Sequence, residues 1–134
     1  MPEQDTVLFA NEAFYLAITS RDMEAMTRIW ARDPVSCLHP GWAALIGRLD
    51  VLASWKRILS HDAAPNIICR QPRVLLHGEI AAVVCYEEIE GEFLVATNLF
   101  RREDRHWHMI HHQAGPTAAQ FPPEDPPLGG PRPN

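Results

Sequence analysis

Two periodicities divide the chain. Over residues 6–20, Val7, Ala10, Phe14, Ala17 and Ile18 recur at the three- and four-residue spacing of one helical face. Asp5 or Thr6 supplies an oxygen to cap its start. Ser20, Arg21 and Asp22 interrupt, and Asp22 is placed to cap a second helix whose Met23, Met26 and Trp30 share a face. That helix is expected to stop before Pro34, because a residue preceding proline is driven out of the helical region. Residues 35–38 are short and apolar and predict a strand running into the turn His39-Pro40-Gly41-Trp42. A third helix over residues 49–60 carries Leu52, Trp55 and Leu59 on its apolar side and Asp50, Ser54 and Arg57 on its wet side.

From residue 66 the apolar period becomes two. Strands are predicted over 66–70 with 73–77, 80–90, 93–102 and 106–114. The joints Gly78-Glu79, Gly91-Glu92 and Glu103-Asp104-Arg105 are short enough for hairpins, so these strands are expected to pair antiparallel. Helices first and a meander afterwards mean an α+β domain. After Pro116 the composition changes: seven of the chain's 12 prolines lie from there to the end, with Gly129 and Gly130. The expected organisation is therefore a domain over 1–116 and an extended or disordered tail over 117–134.

Composition narrows the function classes. The 134 residues suit one domain with a core, and 46% apolar with 22% charged residues is ordinary for a globular protein. A formal charge of −5 without a basic block argues against nucleic acid and against an anionic membrane surface, both of which are held through Lys and Arg. The N-terminus lacks a secretory pattern, and no stretch approaches a membrane span. Cys37, Cys69 and Cys85 are odd in number and form no Cys-x-x-Cys pair, which fits free core thiols in a cytoplasmic protein. There is no Gly-x-Ser-x-Gly nucleophile motif and no phosphate-cradling glycine loop.

Three stretches carry a family likeness: the helical entry FYLAITSRDMEAMTRIWARDPV, the turn and helix HPGWAALIGRLDVLASWKRIL, and the closing strand HWHMIHHQAGP. In motif order and spacing the chain resembles the nuclear transport factor 2-like superfamily, in its SnoaL-like and ketosteroid-isomerase-like branch, over about residues 8–116. The resemblance implies a cone: three N-terminal helices packed in the concave face of a curved antiparallel sheet of cystatin-like type. It also implies a small-molecule pocket between the first helix and the sheet, and a homodimer formed through the sheet. It does not choose between a cofactor-free acid–base enzyme (isomerase, cyclase or hydratase) and a non-catalytic binding or dimerisation module.

The resemblance also places candidate residues. His39, at the end of a strand, falls where the ketosteroid isomerases hold their proton-moving aspartate. It is either a general base or a structural histidine bonded to the turn. Phe14 falls where those enzymes have a hydrogen-bonding tyrosine, with Tyr15 one step round the helix. Their second acid falls near Thr97 or Asn98, and neither is an acid, so the chain departs from steroid isomerisation at all three positions. Alternation on the last strand puts Trp107, Met109, His111 and Gln113 on one face, so His111 is expected to turn inward and face His39. Phe14, Tyr15, Trp42, Trp55, Asn98 and Gln113 are the expected ligand contacts, with Trp42 at the rim. Neither metal nor other cofactor is expected, since no third ligand has a recognisable spacing to the two histidines. Glu87 alternates against Glu88 and Glu90, and the three are expected on a wet strand edge.

Overall fold

A computed structural model describes residues 2–119; the rest of the expected tail lies outside the described residues. Helix α1 (Glu3–Thr19) begins three residues before the apolar pattern does. Glu3 and Asp5 in its first turn favour that extension, because they face the unpaired N–H groups and the positive end of the helix dipole. Its Val7, Asn11, Phe14, Tyr15 and Ile18 are buried. Arg21 adopts a left-handed φ of 56°, turning the chain so that the Asp22 carboxylate accepts the Ala25 amide at 3.0 Å and starts α2 (Met23–Ile29). This helix ends well before Pro34. Trp30 leaves it in an extended conformation and bridges to Met109, and the Ala31 amide donates to the Met109 carbonyl at 2.8 Å. Pairing to a strand therefore stops α2, ahead of the proline.

Strand β1 (Ser36–Leu38) leads through the His39-to-Trp42 turn into a two-residue strand β2 (Leu45–Ile46), too short to leave a period in the sequence. Helix α3 (Arg48–Ser60) follows Gly47, which has no side chain to cap it. Asp33 does so from a distance, accepting the Arg48 amide at 2.6 Å. The Arg48 guanidinium in turn donates to the carbonyls of Thr27, Trp30 and Ala31 at 2.7–2.9 Å, closing the end of α2.

The meander follows as β3 (Ile67–His77), β4 (Ile80–Ile89), β5 (Glu92–Glu103) and β6 (His106–Pro116). The sheet order is β2-β1-β6-β5-β4-β3, antiparallel except that β1 runs parallel to β6. The sheet is thus mixed rather than wholly antiparallel, because β1 comes from the helical half and crosses back to the last strand. It is curved and open, and α1 and α3 pack on its inner face around Phe14, Trp55, Val83, Phe100 and Met109. The two predicted segments before His77 are one strand with a bulge between Arg70 and Arg73, where Gln71 takes a φ of 51° beside Pro72. Among the described residues no helix is long and apolar enough to cross a membrane.

A second bulge has larger consequences. Phe100 pairs with Met109 and Leu99 with His111, so Ile110 is an extra residue in β6. Trp107 and Met109 point inward as expected, but beyond Ile110 the parity inverts. His112 and Ala114 are buried, while His111 is half-buried and Gln113 exposed.

Candidate active site

The strands deliver a row of polar side chains into an otherwise apolar interior. Asn98 on β5 and His112 on β6 are register partners, and Glu87 comes from the inward row of β4, in sequence with Ala81, Val83 and Cys85. From the opposite side α1 contributes Asn11 and Tyr15, one helical turn apart. All five are at most 5% exposed.

Their hydrogen bonds fix one another. The Asn98 amide nitrogen donates to Asn11 Oδ1 at 2.8 Å and to the Tyr15 hydroxyl at 3.0 Å. Tyr15 then gives its own proton to Glu87 Oε2 at 2.7 Å. With the amide nitrogen so engaged, Asn98 Oδ1 is left as the acceptor facing His112 Nδ1 at 2.5 Å. Nδ1 must therefore carry the ring proton, and Nε2 presents its lone pair to Glu87 Oε2 at 3.9 Å. Burial pushes the Glu87 carboxyl up to about 7, with the Tyr15 bond pulling the other way. Burial, then the neighbouring His39 and His111, brings His112 down to about 3. Burial first, and then Glu87 and Cys85, hold the Tyr15 hydroxyl well above its ordinary range. Near neutral pH the pair is thus a protonated or half-protonated acid opposite a neutral imidazole, and no ion pair.

His39, at the end of β1, is 6% exposed, with its ring between Trp42 and Trp55 at centroid distances of 4.8 and 4.7 Å. Ser54 Oγ gives its proton to the Val51 carbonyl at 2.6 Å, so at 2.9 Å it accepts from His39 Nε2. Both predicted roles keep a basis. Nε2 is bound structurally, Nδ1 retains its lone pair, and burial brings the ring down to about 4. Ser54, expected on the wet side of α3, is buried because it is this partner.

Phe14 packs edge-on against Trp55 at 5.4 Å and lies 5.0 Å from the His112 ring. Trp42 is 39% exposed, with the Arg57 guanidinium 5.3 Å over its ring. The Trp55 indole nitrogen is buried without an acceptor. Three placements differ from expectation. His111 does not face His39: the Ile110 bulge turns it outward, where its Nδ1 meets Ser36 Oγ at 2.7 Å. Its neighbour His112 stands inside instead, with its ring 6.4 Å from that of His39. Gln113 lies outside for the same reason. Glu87 is not on a wet edge. Its strand is internal to the sheet and its parity is that of the core row, a signal present in the alternation Ala81, Val83, Cys85. Among the described residues no group of three or more His, Cys, Asp or Glu is disposed to hold a metal ion.

One hollow reaches this row, and two others do not touch it. A cleft of about 530 Å³ between α1 and β3 is lined by Asn11, Tyr15 and Cys69 among apolar neighbours. A smaller one, about 240 Å³, lies at Trp42, Arg57 and His61. A wider groove of about 630 Å³ on the far side of α1 touches none of the polar row, so its size gives it no claim to this chemistry.

The sequence pattern of the SnoaL-like domain matches residues 7–119. Among solved structures, a candidate dehydratase of the NTF2-like family from Streptomyces avermitilis superposes with a TM-score of 0.79 and 32% identity, covering 86% of this chain and 96% of the other. A candidate calcium/calmodulin-dependent protein kinase type II association domain from Thiobacillus denitrificans gives a TM-score of 0.74 and 30% identity, over 81% and 92%. The Arabidopsis thaliana F-box protein SKIP8 is 26% identical over 111 residues, 81% of this chain and 48% of that protein. The chain thus spans about half the length of that curated relative.

Proposed function

The chain belongs to the SnoaL-like domain family, and on that footing we propose that its buried Glu87–His112 pair performs cofactor-free acid–base chemistry on a small, largely apolar carbonyl compound, of the elimination–hydration type. The observation that carries this reading is the pair itself: an acid raised to about 7 opposite an imidazole lowered to about 3, at 3.9 Å. Groups tuned away from their ordinary values in a shielded setting are suited to moving protons. In the dehydration direction His112 Nε2 takes the proton from the carbon beside the carbonyl. The electron pair forms the C=C bond, the C–O bond breaks, and the leaving hydroxyl takes its proton from Glu87 and departs as water. The charged pair so formed returns to neutral by passing the proton from His112 to Glu87. The unpartnered Trp55 N–H is a donor for the carbonyl oxygen, Tyr15 and Asn98 position the pair, and Phe14, Trp42 and His39 wall the site. The name of the Streptomyces relative is in keeping with this direction.

The test is proton NMR of 3-hydroxycyclohexanone in deuterium oxide with the full chain. Deuterium entering beside the carbonyl and cyclohexenone accumulating, both lost in Glu87→Gln, support the reading. Rates no higher than buffer for this and for a panel of open-chain β-hydroxy ketones overturn it.

A second reading is favoured by a separate observation. The outer face of the sheet exposes Leu75 and Ile68, 51% and 41%, beside half-buried Val84, Tyr86, Val95 and Leu99, with Arg73 and the Arg70–Glu88 ion pair set among them. An apolar face of that kind is suited to self-association with a second copy of the chain. The name of the Thiobacillus relative, an association domain, is in keeping with it.

A further inference from the structure

Two of the three thiols are neighbours. Cys69 on β3 pairs in register with Glu87, which places Cys85, two residues earlier on β4, on the same inner face. The two residues are diagonal neighbours across the β3–β4 pair. Asn11 Nδ2 donates to Cys69 Sγ at 3.6 Å, and the Tyr15 hydroxyl lies 3.3 Å from Cys85 Sγ. Their exposures differ: Cys85 is fully buried, whereas Cys69 is partly open and lines the cleft between α1 and β3. Cys37 stands apart, fully buried against His39.

Their acidities diverge as well. The neighbouring Cys85 thiol, then the Asn11 bond and the charge of Arg70, bring Cys69 below the ordinary thiol range against the opposing effect of burial. The neighbouring Cys69 and burial push Cys85 far up, and burial takes Cys37 to about 12. The nucleophilic form of sulfur is the thiolate, so the thiol that meets the cleft is also the one most readily ionised.

We propose that Cys69 and Cys85 form an oxidisable pair, in which Cys69 is attacked by hydrogen peroxide or a small alkyl hydroperoxide entering the α1–β3 cleft and Cys85 resolves it to a disulfide within the chain. In the first step the Cys69 thiolate attacks a peroxide oxygen. The S–O bond forms, the O–O bond breaks, and hydroxide or alkoxide leaves and takes up a proton. Sulfur is oxidised by two electrons to sulfenic acid and the peroxide is reduced. In the second step Cys85 gives up its proton and attacks the Cys69 sulfur. The S–S bond forms, the S–O bond breaks and water leaves. The diagonal thiols must close to the ~2 Å of a disulfide. β3 is the edge strand of the sheet and is bulged just beyond Cys69, so its backbone is the one free to shift. Closure draws sulfur away from Asn11 and Tyr15, and so reports on the polar row, but the pair's chemistry is independent of the acid–base reading above.

The test exposes the reduced full chain to hydrogen peroxide, with glutathione oxidised in a parallel tube as control, then unfolds it in iodoacetamide and maps the peptides by mass. The expected result is a Cys69–Cys85 crosslink within a single chain, with Cys37 alkylated. In Cys85→Ser, dimedone should capture Cys69 about ten times faster than Cys37. In Cys69→Ser, Cys85 should stay reduced. Three alkylatable thiols after peroxide has consumed the control, oxidation of Cys37 first, or a crosslink between two chains would each overturn the proposal.

Discussion

The side-chain amide of Asn98 decides where the proton sits on His112. Its nitrogen is committed to Asn11 and Tyr15, so its oxygen, 2.5 Å from His112 Nδ1, accepts the only proton a neutral ring carries. Asn98→Leu removes that acceptor and strands the Asn11 oxygen and the His112 N–H in a dry interior. Each buried unpaired group costs about 1–3 kcal/mol, so urea denaturation should show a loss of about 2–6 kcal/mol. Nitrogen NMR of the His112 ring should at the same time show loss of the single Nδ1–H tautomer. A retained tautomer would mean that something other than Asn98 holds it.

The interior acids and bases give stability an optimum close to neutrality. The Glu87 carboxyl rises from 4.5 to about 7 on folding, so the folded state holds the extra proton in that window. That contribution is complete below 4.5 and is lost as pH rises through 7, about 3 kcal/mol in all. His39 and His112 fall from 6.5 to about 4 and about 3, so the unfolded state holds their extra protons. Their contribution is complete above 6.5 and is lost as pH falls through 4 and 3. Two rising slopes against one falling slope place the maximum between 6.5 and 7. Melting temperature against pH should peak there, and Glu87→Gln should turn the fall on the alkaline side into a plateau.

Activity should carry the same acid. If Glu87 delivers the proton to the leaving hydroxyl, the rate on a β-hydroxy ketone declines as pH rises through about 7, because the carboxyl is then empty. A rate that instead climbs through 7 would make Glu87 the base and reverse the two roles. The Asn98→Leu variant should lower kcat more than it raises KM, since it disturbs the orientation of a group acting in the transition state.

Most of the architecture is legible in the chain because periodicity reports burial directly. Phe14 and Ile18 mark the buried face of α1, and the glycine and charged joints mark the hairpins. What escapes the pattern is set by pairing between distant residues. α2 stops at Ile29 because the following backbone meets Met109, a contact no local rule contains. The site turns on Ile110, one extra residue that exchanges His111 for His112, and a bulge shows itself only when the partner strand is known. Glu87 escaped the pattern: its alternation with Cys85 and Val83 left open which face turns inward, and a carboxylate in a core row makes sense only once Tyr15 is seen to reach it at 2.7 Å. Tyr15 itself lies one step from Phe14 and serves because α1 presents both to the sheet, their rings 4.9 Å apart.

The outer face of the sheet gives the last prediction. Leu75 is half exposed on the edge strand, with Ile68 on the same face, and the half-buried side chains of β4 and β5 extend that surface across the sheet. Stable pairings bury about 800 Å² per partner, an area that only the whole face, and not one strand, can supply. Light scattering behind size exclusion should therefore give twice the 15.2 kDa chain mass. Leu75→Glu sets two carboxylates into that contact without touching the inner core, so it should return the mass of one chain. Its far-ultraviolet circular dichroism should stay unchanged, because the Leu75 side chain is 51% exposed and holds no element of the fold. A wild-type chain that runs as a monomer at the highest concentration it tolerates would leave that apolar face without a second copy to cover it, and self-association would be wrong.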